Sequence, residues 1–365
     1  MTANSVSLEV AGSGFDLRRA PHLSVGDTIR VVCPGWPALA LMSEARRERA
    51  EAALRALGLK VSYGKNAFAP VAHAAGSAAE RASDINDAFR DPSVAGILCA
   101  IGGVHSLDLL PLLDYDCIAS NPKIFISHSN NASLNLAILA KARLISFQPV
   151  CFTNHFGEFP APAPETLQNF QIACMSCDPI YLRPVGTRTD APLPFLFDPS
   201  HDMAGRPRNL SGGWRWLRHG CASGPLIGGL LSTLVDVADT DWAPSFARAI
   251  LYWDLTHYNG NVVAADAYLA AMARRGILAQ LSGMIVGYPC RVPRHDSMAS
   301  LDEIVVKWCA EFDGPILVDA DCGHTDPTWV LPLGSDGHLD SRADAFWCAP
   351  GTMPTSSRPD RSLAR

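Results

Sequence analysis

Three side chains in this sequence stand where a nucleophile, a base and the base's partner would be needed. Ser129 follows the apolar run Ile124–Ile126 and precedes the small, apolar segment 132–140. The run has the composition of a buried strand and the segment that of a helix packed on it, so Ser129 falls on the bend. A serine on a tight strand-to-helix turn is pushed outward, beside the first helical N–H groups, which can receive negative charge. Ser129 and Asn130 would equally cap the helix, so a nucleophile and a cap both fit. Asp254 ends the apolar run 249–253, either as a turn former or as a carboxylate presented by a strand. His324 follows a glycine in the polar loop 321–327, directly after the apolar run 315–318, where a surface histidine also fits. The order Ser, Asp, His occurs in several unrelated hydrolases, and together the three groups could activate a hydroxyl for attack on a carbonyl. Gly102 and Gly103 close another apolar run, 94–101, one strand-helix unit before Ser129. They either turn the chain or let a ligand approach the backbone closely.

The elements that must position these groups alternate in type. A turn feeds a strand over residues 25–33, an amphipathic helix covers 43–57, a strand 59–63, a helix 76–89 and a strand 94–101. This pattern predicts an α/β fold, with an N-terminal doubly wound, mostly parallel sheet. Residues 184–213 are rich in Pro, Gly, Asp and Arg without a period, as in a linker or binding loop. Trp214 and Trp216 close it; they would either stack on a planar ligand or form one face of a strand. A second α/β unit starts with a strand, a tight glycine turn and a helix over 226–234. It continues with strands at 249–254 and 284–287, helices at 262–274 and 301–312, and a last parallel strand at 315–319. Residues 329–338 suggest a closing hairpin. The expected division is an arm over 1–22, an N-terminal domain over 23–183, a linker over 184–223, a C-terminal domain over 224–353 and a disordered tail over 354–365.

Composition narrows the function classes. The chain has 365 residues, 48% hydrophobic and 18% charged, enough for a sizeable core. A net charge of −6 offers no general field for a polyanion, which argues against nucleic acid as a partner. Eleven scattered cysteines with no regular framework point to reduced thiols and a cytoplasmic setting. No run reaches the length of a membrane span, so no membrane partner is expected.

Longer motifs carry a family resemblance. They are Gly26-Asp-Thr-Ile, Gly76-Ser, Arg81-Ala-Ser-Asp84, Leu110-Pro-Leu-Leu-Asp-Tyr-Asp116 and Asn121-Pro-Lys-Ile-Phe-Ile126, then Gly157-Glu158, Gly224-Pro-Leu-Ile-Gly-Gly229, Asp321-Cys-Gly-His-Thr-Asp-Pro327 and Leu331-Pro-Leu-Gly334. Over residues 22–345 the sequence resembles the LD-carboxypeptidase family of serine peptidases, and within it the microcin C self-immunity branch. The resemblance implies two α/β domains facing each other across an active-site cleft, a homodimer, and no metal or organic cofactor. It implies cleavage of an amide near a carboxyl end of a small peptide or aminoacyl conjugate. Ser129 then takes the role of nucleophile, His324 of general base and acid, and Asp254 of the partner that orients the imidazole. The backbone N–H groups of Gly103 and Asn130 would form the oxyanion hole, and Gly102, Val104, His128, Trp214 and Trp216 would contact substrate. Four positions depart from the family pattern: Ser127 replaces Gly, His128 replaces Tyr, Asp254 replaces Glu and Leu230 replaces Asn. Arg188 and Phe195 stand where the immunity branch carries tryptophans associated with the nucleotide part of its substrates. A biosynthetic acyl transferase and a catalytically decayed binding protein are the alternatives on this scaffold.

Overall fold

Aliphatic and β-branched runs pair into two sheets that share the chain unevenly. The computed structural model describes residues 17–69, 73–193, 202–256, 262–290 and 299–357. Its first sheet runs in the order Leu331–Leu333, Ser146–Gln148, Ile124–Ile126, Val94–Cys99, Thr28–Val32 and Lys60–Tyr63. Neighbours are parallel except at Leu331–Leu333, which pairs antiparallel with Ser146–Gln148. Every residue of Val94–Cys99 and Ile124–Ile126 is buried, as in central parallel strands covered on both faces. Helix Glu44–Ala56 begins at Ser43, whose hydroxyl accepts from the Arg46 N–H, and helix Ala78–Arg90 begins in a full capping box between Ser77 and Glu80.

The second sheet runs Arg215–Arg218, Ile316–Ala320, Gly283–Gly287, Ile250–Asp254, Cys221–Leu230, Asp336–Asp340, Ala345–Cys348 and Ile180–Leu182. The stretch from Ile316–Ala320 to Cys221–Leu230 is parallel, and the flanking pairs are antiparallel. The molecule is thus a mixed α/β fold with two sheet units. No helix among the described residues is long and apolar enough to cross a membrane.

Several sequence expectations need correction. Gly228 and Gly229 do not turn the chain; the strand runs through them from Cys221 to Leu230. A Cβ at Gly228 would lie 2.1 Å from the Tyr252 carbonyl oxygen, and one at Gly229 would lie 2.5 Å from Ala132 Cβ. These glycines serve close packing against the adjacent strand and against the helix behind Ser129. Nor do residues 329–338 form a hairpin of their own. Leu331–Leu333 crosses to the first sheet, while the hairpin joins Asp336–Asp340 to Ala345–Cys348. Ile180–Leu182, placed by sequence in the N-terminal unit, edges the second sheet instead. Each unit therefore lends the other a strand, a long-range exchange that no local pattern encodes. Part of the expected arm is built in too: Ala20–Pro21 pairs with Thr352–Met353. Of the expected tail, Thr355–Ser357 forms a short 3-10 turn and residues 358–365 lie outside the described residues.

A buried polar network joins the sheets below the Ser129 bend. The Tyr252 hydroxyl donates to Gln148 Oε1 at 2.6 Å, and Gln148 Nε2 donates to Asn135 Oδ1 at 3.0 Å and to Ser127 Oγ at 3.1 Å. Ser127 in turn donates to Asn135 Oδ1, and Asn135 Nδ2 donates to Ser146 Oγ at 2.9 Å. All five residues are buried, so each polar group must find such a partner. The hydroxyl of Ser127, where the family pattern has glycine, is absorbed by this network.

Candidate active site

Four loops at the carboxyl ends of parallel strands converge, as open α/β sheets arrange their ligand crevices. The strand Ile124–Ile126 delivers Ser129, which opens the 3-10 turn Ser129–Asn131 ahead of helix Ala132–Ala137. Ser129 sits at φ 60°, a left-handed conformation that a non-glycine residue adopts only when its surroundings hold it there. Those surroundings are visible. Asn131 Nδ2 donates to the Ile101 carbonyl at 2.7 Å and Ser106 Oγ donates to the Asn130 carbonyl at 2.9 Å, fixing the bend against the glycine loop. That loop is held by Arg81, whose guanidinium donates to the Pro34 and His105 carbonyls.

The hydroxyl of Ser129 lies 3.0 Å from His324 Nε2, and His324 Nδ1 is hydrogen-bonded to Asp254 Oδ2. Asp254 ends the strand Ile250–Asp254 and is 2% exposed. Its shorter side chain reaches the imidazole because the backbone closes in: a Cβ at Gly323 would lie 2.4 Å from Asp254 Oδ2, and one at Gly287 would lie 2.9 Å from Asp254 Cβ. The three candidates from three separate strands thus form one continuous chain of hydrogen bonds.

Gly102 and Gly103 press against this chain. A Cβ at Gly102 would lie 2.5 Å from Ser129 Cβ, while Gly103, at φ 136°, would place one 2.3 Å from the Trp36 amide nitrogen. Gly102→Ala should therefore displace Ser129 from His324. We expect kcat/KM to fall about a hundredfold, the cost of a displacement of about an ångström, while the thermal melting midpoint shifts little. Steady-state kinetics beside a thermal melt checks it.

Around the serine a cleft of about 390 Å³ is lined by Gly102, Gly103, Val104, His128, Asn130 and His324, and by Trp36, Asn154, His155, Asp190, Arg206 and Asp326. His128 is buried, and its Nε2–H donates to the Gly323 carbonyl at 3.3 Å, tying the Ser129 bend to the loop that carries His324. Burial, with His324 and His155 beside it, holds the His128 imidazole well below its usual range and therefore neutral. His155 Nδ1 accepts from the Cys151 N–H at 3.0 Å, so its Nε2–H faces Asp326 Oδ1 at 3.4 Å. Burial pushes the Asp326 carboxyl up, but Arg206 more than offsets this and holds it below the usual carboxylate range. Arg206 also pairs with Glu158, so one buried guanidinium bridges two carboxylates on the cleft wall.

Two expected contacts are absent from this cleft. Trp214 and Trp216 flank Arg215 and pack on the apolar core, Trp214 edge-to-face on Trp329, and both indole N–H groups donate to Asp344 at 2.7 Å. They lie on or next to the edge strand Arg215–Arg218, the strand alternative for residues spaced by two. Arg188 is fully buried; it donates to the Asp319 and Gly213 carbonyls and stacks over Tyr288, so it braces the loop rather than facing the cleft. Phe195 lies outside the described residues. Sequence reading missed Trp36, His155, Arg206 and Asp326. Asp326 stands two residues after His324 in the same motif, whereas Arg206 lies in an aperiodic stretch that carries no positional signal.

The model for the LD-carboxypeptidase N-terminal domain matches residues 29–148, and that for the LD-carboxypeptidase C-terminal domain matches residues 223–339. A Vibrio cholerae protein named "Putative carboxypeptidase" is 30% identical over 88% of this chain and 94% of its own length. The microcin C7 self-immunity protein MccF of Escherichia coli is 28% identical over 86% of this chain and 91% of its own length. Solved structures of MccF superpose closely. The complex with glutamyl sulfamoyl guanosine gives a TM-score of 0.83 at 26% identity, covering 91% of this chain and 98% of that one. The complex with aspartyl sulfamoyl adenosine gives 0.84 at 25% identity with the same coverage.

Proposed function

The chain belongs to the LD-carboxypeptidase family, in its MccF-like group, and we propose that it cleaves its amide through an acyl-enzyme on Ser129. The protein is a serine hydrolase acting near a carboxyl terminus. The observation that carries the mechanism is the unbroken Ser129–His324–Asp254 chain.

In this reading the scissile carbonyl lies against Ser129. His324 Nε2 takes the hydroxyl proton as Oγ bonds to the carbonyl carbon, and Asp254 holds the Nδ1–H tautomer and stabilises the imidazolium. The charge developing on the carbonyl oxygen is received by the N–H groups of Gly103 and Asn130, which adjoin the serine and survive any change of side chain. His324 then gives the proton to the leaving nitrogen, and the C–N bond breaks. Water, deprotonated by the same imidazole, releases the acyl group and restores Ser129. His128 holds the two halves of the site together, and its neutral ring adds no competing charge beside the imidazolium.

The substrate class we propose is a short peptide or an aminoacyl conjugate, because MccF relatives were solved with aminoacyl sulfamoyl nucleosides and the cleft has room for such a small molecule. Trp36, not Trp214 or Trp216, offers the aromatic wall. A reducing cytoplasm suits the thiols: the eleven cysteines form no disulfide among the described residues and most are buried. Cys174 and Cys177 have the spacing of a redox pair, yet burial holds the Cys174 thiol well above its usual range, which disfavours the thiolate that such chemistry needs. The hydrolase reading is favoured over a decayed binding protein because Asp254, although one methylene shorter than the glutamate of the family pattern, still engages His324.

To test the function, short peptides with a free or an amidated carboxyl end are incubated with the protein and the products weighed by mass spectrometry. Release of the terminal residue from the free-acid peptide is the expected result. Intact peptides throughout, or cleavage confined to internal bonds, would overturn it.

A further inference from the structure

A second cavity, of about 300 Å³, shares Val104 and Asn130 with the active-site cleft. Apart from Leu107, its remaining wall carries polar groups: Ser106, Ser232, Thr233, Asp236 and Tyr268. Ser232, Thr233 and Asp236 belong to helix Leu231–Ala238, three and four residues apart, and so share one helical face. Ser232 is 8% and Thr233 1% exposed, and neither hydroxyl oxygen has a hydrogen-bond partner among the described residues. Buried polar atoms in native proteins are normally paired, so two adjacent unpaired hydroxyls on one cavity wall point to a missing polar occupant. Ser106 is already committed, donating to the Asn130 carbonyl at 2.9 Å and lying 3.1 Å from the Ser133 hydroxyl that donates to it.

The charge of the wall selects the occupant. Asp236 is the carboxylate of the cavity; among the described residues no lysine or arginine lines it. Asp236 is an exposed residue, and desolvation by the atoms packed around its carboxyl holds it above the usual range. An anion would be repelled. A primary ammonium would supply both the missing charge and three N–H donors, which Asp236 and the hydroxyl oxygens can accept.

We propose that this cavity is a subsite for a primary ammonium group of the substrate, held by the Asp236 carboxylate together with the Ser232 and Thr233 hydroxyls. The proposal rests on the hydrolase reading above, which places the scissile amide at Ser129, one residue from the shared wall at Asn130. Exposed Val104, which lines both cavities, marks the passage between them.

The test uses paired short peptides that differ by lysine or norleucine at the residue on either side of the scissile amide. Binding is measured by calorimetry on the Ser129→Ala protein, and hydrolysis on the parent. At one of the two positions the lysine peptide should bind about tenfold more tightly, the equivalent of one charge-assisted hydrogen bond. In Ser129→Ala carrying Asp236→Asn, that preference should fall to about onefold with norleucine affinity unchanged, and Asp236→Glu should retain it. Equal affinities in the parent background, a preference that survives Asp236→Asn, or one that is abolished by Asp190→Asn instead would each overturn the proposal. If the parent cleaves neither peptide, the hydrolase reading fails for these peptides, while the binding ratio still decides the subsite.

Discussion

Ser129→Ala should hydrolyse a short peptide about a millionfold more slowly than the parent protein, because it removes the atom that forms the acyl-enzyme. The loss should appear in kcat and leave KM nearly unchanged, since the Ser129 hydroxyl is one small group on a wall built mainly by other residues. The fold should survive: the bend is held by Asn131 and Ser106, not by the Ser129 side chain. Single-turnover and steady-state kinetics separate these outcomes. A loss of only about tenfold would mean that water attacks directly, and that Ser129 serves as a cap.

Asp254→Asn should lower kcat by about four orders of magnitude, since an amide cannot stabilise the imidazolium and favours the wrong His324 tautomer. Asp254→Ala should be similar. Asp254→Glu should cost far less, on the order of tenfold, by overfilling a space already closed by Gly287 and Gly323. The comparison is informative because glutamate is the residue of the family pattern. If Asp254→Glu raised the rate instead, the aspartate would be a detuning substitution rather than one the backbone has absorbed.

The fold class and the candidate site residues were both legible in the sequence, for the same reason. Ser129, Asp254 and His324 each end or follow an apolar strand run, and strand ends in parallel sheets are where ligands are met. Their mutual contact depends on Gly102, Gly287 and Gly323, whose role as missing side chains emerges only in three dimensions. The alternation of strands and helices predicted the parallel centres of both sheets. It could not predict that Leu331–Leu333 and Ile180–Leu182 would exchange between them, because periodicity gives a strand's faces and not its neighbours. Trp214 and Trp216 were misplaced for a related reason: an aromatic beside an irregular segment suits a ligand wall and an edge strand alike, and pairing with Ile316–Ala320 decides between them. The place of Ser127, where the family pattern has glycine, likewise depends on tertiary partners: its hydroxyl donates to Asn135 and accepts from Gln148.

The central claim is that Ser129 is the nucleophile, activated by His324, and intact-mass measurement after exposure to a serine-directed phosphonate tests it most directly. The parent should gain the mass of one phosphonyl group, mapping by peptide analysis to the segment containing Ser129. Ser129→Ala should gain none, and His324→Ala should react far more slowly. Labelling of Ser129→Ala at the rate of the parent would contradict the account and place the reactive group elsewhere.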